Sequence, residues 1–177
     1  PDSPFGGHPD RGKIPGVEAS TGALGHGLPI GVGLALAAKI KKQKHRVVVL
    51  TGDGEINEGS VWEAALSAAK HELYNLTVMI DYNKFQSYGP TSEVLDLEPL
   101  VDKWRSFGFA VEEIDGHNVK ALEKLTNRLP LDSKKPSAII CHTIKGKGFE
   151  FAEAQIEWHH KSKISDEEIK EMYQCLL

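Results

Sequence analysis

Four short apolar runs, each followed by glycine and polar residues, constrain this chain most. They are RVVVLT at residues 46–51, LTVMID at 76–81, AVEEI at 110–114 and SAIICH at 137–142. Continuous β-branched runs of this kind suit strands of a parallel sheet. Helical patterns separate them: Leu28 to Lys42, Ser60 to His71, Leu97 to Phe107 and Val119 to Arg128, with a last helix over Asp166 to Cys175. Strands alternating with helices predict an α/β fold, a parallel sheet with helices on both faces. On the first helix Ile30, Leu34, Ala37 and Ala38 fall at helical spacing, and Lys39, Lys41, Lys42 and Lys44 complement the dipole at its end. On the second, Trp62, Ala65, Leu66 and Ala69 share a face. Trp62 and Trp104 read as core. The remaining stretches read as loops: residues 1–27, Gly52 to Gly59, Tyr82 to Glu93 and Thr143 to Ser165.

Ligands of such folds bind beyond the carboxyl ends of the strands. Here those ends carry GDGEINEG, DYNKFQSYG, DGHN and HTIKGKG. Asp53 stands between Gly52 and Gly54, which free the backbone for a tight turn and a close ligand. Asn83 stands 30 residues on, just past the next strand. If the two strands are neighbours, a carboxylate and an amide oxygen meet at one sheet edge. Those oxygens, with water and phosphates, match what magnesium or calcium prefers. The helix beginning near Ser60 is expected to point its positive end at the same place, which favours a phosphate. Taken singly, GDG reads as a plain turn and Asn83 as a turn former. Asn57 stands where a dinucleotide fingerprint needs its third glycine, and GxxxxGK[ST] is absent.

Composition narrows the partners. The 177 residues carry 21 Lys and Arg against 25 Asp and Glu, a net charge of −4, which argues against nucleic acid. The longest apolar stretch, near Ile30 to Ala38, falls well short of a membrane span. Cys141 and Cys175 are too few for a disulfide framework, so a cytoplasmic location is expected. The polar, proline-rich opening does not read as a signal peptide. It also lacks methionine, so one domain over residues 1–177, truncated at its N-terminus, is expected.

GDGEINEGSVWEAA followed by LTVMIDYNKFQ closely resembles the thiamine diphosphate signature of the transketolase family. GHPDRGKIPGVEASTGALGHGLPIGVGLALA, FGFAVEEIDGHN, KPSAIICHTIKGKG and WHHKSKISDEE resemble further family segments, so the likeness runs over residues 6 to about 170. The resemblance implies thiamine diphosphate with magnesium or calcium as cofactors. It places Asp53 and Asn83 on the metal through side-chain oxygens and Phe85 through its carbonyl. Gly52, Gly54 and Glu55 lie along the cofactor, and Gly22 and Leu24 line its pocket. His8 contacts the substrate, and His159 faces diphosphate and substrate; His159 is preferred to His160 because it follows Trp158. Glu58 matches a glutamate near the subunit interface. His26, His45, His71 and His117 read as structural or surface, and His142 is left open. Lys145 and Lys147, between Gly146 and Gly148, read equally as phosphate-attracting or solvated.

The chain carries no counterpart of the family's pyrimidine-binding domain or of the glutamate that activates the cofactor ring. The implied protein is therefore the diphosphate-binding subunit of a split transketolase, moving a two-carbon ketol unit between sugars or sugar phosphates. Its partner is a pyrimidine-binding C-terminal subunit in a two-plus-two assembly, met through an apolar face. Ser87 and Tyr88 stand where the family commonly has isoleucine and aspartate; losing the isoleucine costs apolar contact worth about 1 kcal/mol. The alternatives are a deoxyxylulose-phosphate-synthase-like enzyme and a non-catalytic module keeping the fold. The DGHN and WHH segments speak against the first, and the intact Asp53, Asn83 and Glu58 against the second.

Overall fold

The computed structural model describes residues 6–175. Its main sheet has four parallel strands: β1 (Val47–Gly52), β2 (Leu76–Tyr82), β5 (Ala110–Asp115) and β6 (Ser137–His142), in the order β1-β2-β6-β5. A two-residue hairpin, β3 (Phe85–Gln86) against β4 (Gly89–Pro90), lies within the expected loop 82–93. The helices are α1 (Gly27–Ile40), α2 (Gly59–Lys70), α3 (Thr91–Val94), α4 (Leu100–Ser106), α5 (Val119–Asn127) and α6 (Asp166–Gln174). α4 starts three residues later than the pattern predicts, because Pro99 occupies its N-cap and lacks the amide a helix interior needs.

Two clusters sandwich the sheet. On one face, Val78 and Ile80 of β2 and Ala138 and Ile140 of β6 pack against α1, α2 and α4. Trp104 is fully buried there, with Trp62 beside it at 5.1 Å between ring centroids. On the other face, Ile139 and Cys141 of β6 meet Leu125 of α5, Ile114 of β5 and Met79 of β2. Among the described residues this second layer stops at β2. β1 is therefore covered on one face only, and Val48 and Leu50 are 56% and 72% exposed, where a strand buried on both faces was expected.

The helical faces also differ from the pattern. α1 buries Leu28, Gly31, Val32, Ala35 and Ala38, while Ile30, Leu34 and Ala37 point outward. α2 buries Val61, Ala64, Ala65 and Ala68, and Leu66 is exposed. The small residues decide: a Cβ on Gly31 would stand 2.3 Å from Val49 Cγ2, so the glycine side is where α1 lies closest to the sheet. Lys39 serves α2 as well as its own helix end, donating from Nζ to the carbonyls of His71 (2.7 Å) and Glu72 (3.1 Å).

Candidate cofactor site

β1 and β2 are neighbours, with Gly52 opposite Asp81. That register brings the turns bearing Asp53 and Asn83 to one edge. Asp53 is 1% exposed, and its amide donates to the Asp81 carbonyl at 3.2 Å. Its carboxylate accepts from Gly54 N–H at 2.7 Å and from Lys84 N–H at 2.5 Å. The second bond ties the two strand-end turns together. Burial dominates the titration of Asp53 and raises its pKa from 3.8 to about 6, aided by the charge of Asp81; the two amides and Lys145 oppose the shift. A buried carboxyl in that state suits a cation.

Asn83 builds its own turn. Its Oδ1 accepts from Phe85 N–H at 3.0 Å and its Nδ2 donates to Asp81 Oδ1 at 3.3 Å. Thr143, just past β6, donates its hydroxyl to the same Asp81 oxygen. Asp81 thus joins β2 and β6 below the site. Gly54 is needed for close approach, since a Cβ there would lie 2.8 Å from Gln86 Cβ. Glu55 faces the other way: its Oε1 accepts from Gly25 N–H at 3.1 Å.

Residues 20–27 lie against the 3₁₀ turn and the start of α2. Gly25 has φ +76° and fits against Glu58 Cβ, 2.6 Å from where its own Cβ would stand, while Ser60 donates to its carbonyl at 2.8 Å. The N-terminus of α2 therefore meets the Gly25 loop. A 3₁₀ turn, Glu55–Asn57, with Ile56 fully buried, takes the place directly after Gly54 where the start of α2 was expected to point. Glu58 is exposed at the N-cap position of α2 and makes no side-chain capping bond. Leu24 is 58% exposed. His8 lies on Gly22, whose φ is +117° and whose Cβ would be 3.3 Å from the imidazole carbons. His8 and Gly22 form one group, and Asp53, Gly54, Lys84 and Asn83 another.

His159 lies half-buried in the loop after β6, with Nδ1 buried and without a partner among the described residues. Burial chiefly, then Lys145 and His160, holds its pKa below the ordinary imidazole value. The Lys145 ammonium acts electrostatically on both Asp53 and His159. Gln86 Nε2 is likewise buried without a partner. A buried carboxylate, two unsatisfied buried nitrogens and a nearby ammonium fit a metal-bound anion better than an apolar ligand. The sequence pattern had not singled out Gln86 or Asp81. His117 proves structural, accepting from Ile144 N–H at 2.8 Å, and His142 pairs with Glu113 at 2.9 Å.

A parallel sheet between helical layers, with polar residues collected beyond its carboxyl ends, defines an α/β ligand-binding domain. Over residues 2–176 the chain matches the family described as transketolase, thiamine diphosphate binding domain, and it belongs to that family. It is 48% identical over 166 residues to a subunit of the apulose-4-phosphate transketolase of Actinobacillus succinogenes, covering 94% of this chain and 60% of that protein. It is 41% identical to a subunit of the 6-deoxy-6-sulfo-D-fructose transketolase of a Clostridium species, covering 90% and 58%. The chain thus spans a little over half the length of these relatives. The transketolase of Campylobacter jejuni superposes with a TM-score of 0.86 at 29% identity, over 99% of this chain and 28% of that one. Among the described residues no helix is long and apolar enough to cross a membrane.

Proposed function

We propose that this chain is the diphosphate-binding part of a thiamine diphosphate-dependent transketolase. The observation that carries the reading is the junction of the Asp53 and Asn83 turns through the Lys84 amide, at the carboxyl ends of paired strands. Asp53, Asn83 and the Phe85 carbonyl hold Mg2+ or Ca2+ there. Gly52, Gly54 and Glu55 shape the turn along the diphosphate, and Gly22 and Leu24 line the pocket. When bound, thiamine diphosphate supplies the carbon nucleophile and electron sink that let a two-carbon ketol unit pass from a ketose to an aldose. His159, kept neutral by burial, accepts or donates a proton at substrate oxygens, and His8 orients the sugar from the Gly22 side. Glu58 lies toward the subunit interface.

The relatives' names support a divided enzyme and anionic sugar substrates, since two are subunits of enzymes named for a sugar phosphate and a sulfo-sugar. On this reading the ring-activating glutamate comes from a pyrimidine-binding partner subunit, in a two-plus-two assembly in the cytoplasm. The substrates are a ketose or ketose phosphate and an aldose or aldose phosphate. Calorimetric titration of thiamine diphosphate, with Mg2+ and with EDTA, tests the site. Binding is expected with the metal only, and Asp53→Ala is expected to weaken it at least about 100-fold, the upper range for losing a group that merely supports a metal ligand. Equal binding by the variant and the wild type contradicts the reading.

A further inference from the structure

Residues 149–175 make few polar contacts with the rest of the domain among the described residues. Helix α6 buries no residue, and the aromatic contacts Phe149–Phe151 and Phe151–Trp158 stay within the segment. Its ion pairs, Lys147–Glu153 and Lys161–Glu168, are local too. Among the described residues, one hydrogen bond alone joins residues 149–175 to anything before residue 144: Ser87 Oγ with His160 Nε2, at 2.9 Å across 73 positions. Ser87 stands at the tip of the β3–β4 hairpin, whose base begins beside Asn83 and Lys84. The bond therefore runs from the metal-side turn to the histidine loop.

Its other end bears on His159. The two histidine rings meet edge to face, 4.5 Å between centroids. His159 N–H donates to the Ile156 carbonyl at 2.9 Å, which fixes the backbone of a short turn. Nothing polar fixes the ring, because Nδ1 has no partner among the described residues. The position of that ring therefore depends on where the turn is held, and His160 makes the one hydrogen bond that ties the turn to a residue before 144 among the described residues.

We propose that Ser87 is a positioning residue, which through its hydrogen bond to His160 latches the histidine loop onto the β3–β4 hairpin and so sets the place of His159. This rests on the reading of His159 as a group that faces substrate. The latch itself is a property of the chain with or without that reading. An exposed hydrogen bond contributes about as much as the opening of a loose loop costs, so its loss shows as local opening without global unfolding.

Hydrogen–deuterium exchange on the full chain, read by peptide, tests it. Ser87→Ala and His160→Ala are each expected to speed exchange in residues 149–165 about fivefold, the effect of losing one net hydrogen bond. The double variant is expected to add nothing further, and Ser87→Thr to restore wild-type exchange. Peptides of β1 and β2 report that the fold is intact. Imidazole NMR signals of His159, assigned by comparison with His159→Gln, are expected to be single in the wild type and broadened or doubled in Ser87→Ala. Unchanged exchange, additive effects of the two variants, or an unaltered His159 signal overturns the latch. Titration of the protein purified with its partner polypeptide, using Mg2+ and thiamine diphosphate, separates the two claims: absence of binding overturns the proposed function, while the exchange data judge the latch alone.

Discussion

Asp53, the proposed metal ligand, carries a cost in stability. Its carboxyl titrates at 3.8 when unfolded and at about 6 when folded, chiefly because it is buried. Between those values the folded chain binds the extra proton, so this contribution to stability is full below about pH 4 and is lost as pH rises through about 6. The metal-free wild type is expected to lose Tm between pH 4.5 and 6.5 relative to Asp53→Asn, and Mg2+ to offset that loss above pH 6; parallel Tm curves for the two proteins would contradict it. Cysteine reactivity follows the same physics. Cys141 is buried, its thiol pushed up to about 11, whereas Cys175 is exposed. Brief iodoacetamide treatment of the native chain at pH 8 is expected to add one label, at Cys175, read by peptide mass. Residues fixed by local rules were legible in sequence: Asp53 between two glycines past a strand, Asn83 in its turn. The partners of Glu55 and Ser87 were not, because Gly25 and His160 lie 30 and 73 positions away.

At the scale of elements, α1 shows where periodicity stops informing. The helix is apolar nearly all round, so hydrophobic spacing fits two faces, and the Ile30–Leu34–Ala37 face is the outer one. What selects the inner face is size: Gly31, Ala35 and Ala38 permit the close approach to β1, a signal present in the sequence as a stripe of small residues. Gly31→Ala is expected to cost about 1–3 kcal/mol through overpacking against Val49, read as a fall in Tm. Leu34→Gln, on the 44% exposed side, is expected to change stability by less than about 0.5 kcal/mol. A large loss from Leu34→Gln with none from Gly31→Ala would reverse the assignment of faces. The four strands of the main sheet were legible nearly to the residue, though the β3–β4 hairpin was not, and their alternation with helices did not show which faces are covered. The exposure of Val48 and Leu50 depends on how far the α5 layer reaches, a tertiary matter.

At the scale of the whole molecule, the order β1-β2-β6-β5 gathers four polar turns along one edge, and every group proposed to touch the cofactor comes from that edge or from the loop before α1. The outer stripe of α1, Ile30 and Leu34 beside Ala37, is apolar and exposed in this chain. The α/β class, the polar strand ends and the family were accessible from sequence, because each depends on contiguous motifs, whereas the pairing of β1 with β2 entered only as a condition that the register meets. The attachment of the histidine loop was not, because it depends on one side-chain bond between distant turns. The central claim is a metal–diphosphate site completed by a second polypeptide. Native mass spectrometry of the protein, purified gently from its own source with Mg2+ and thiamine diphosphate, tests it most directly. The account predicts a hetero-oligomer with two copies of each polypeptide, carrying thiamine diphosphate and Mg2+ that are lost together on chelation. A protein that retains neither cofactor nor partner under those conditions would contradict it.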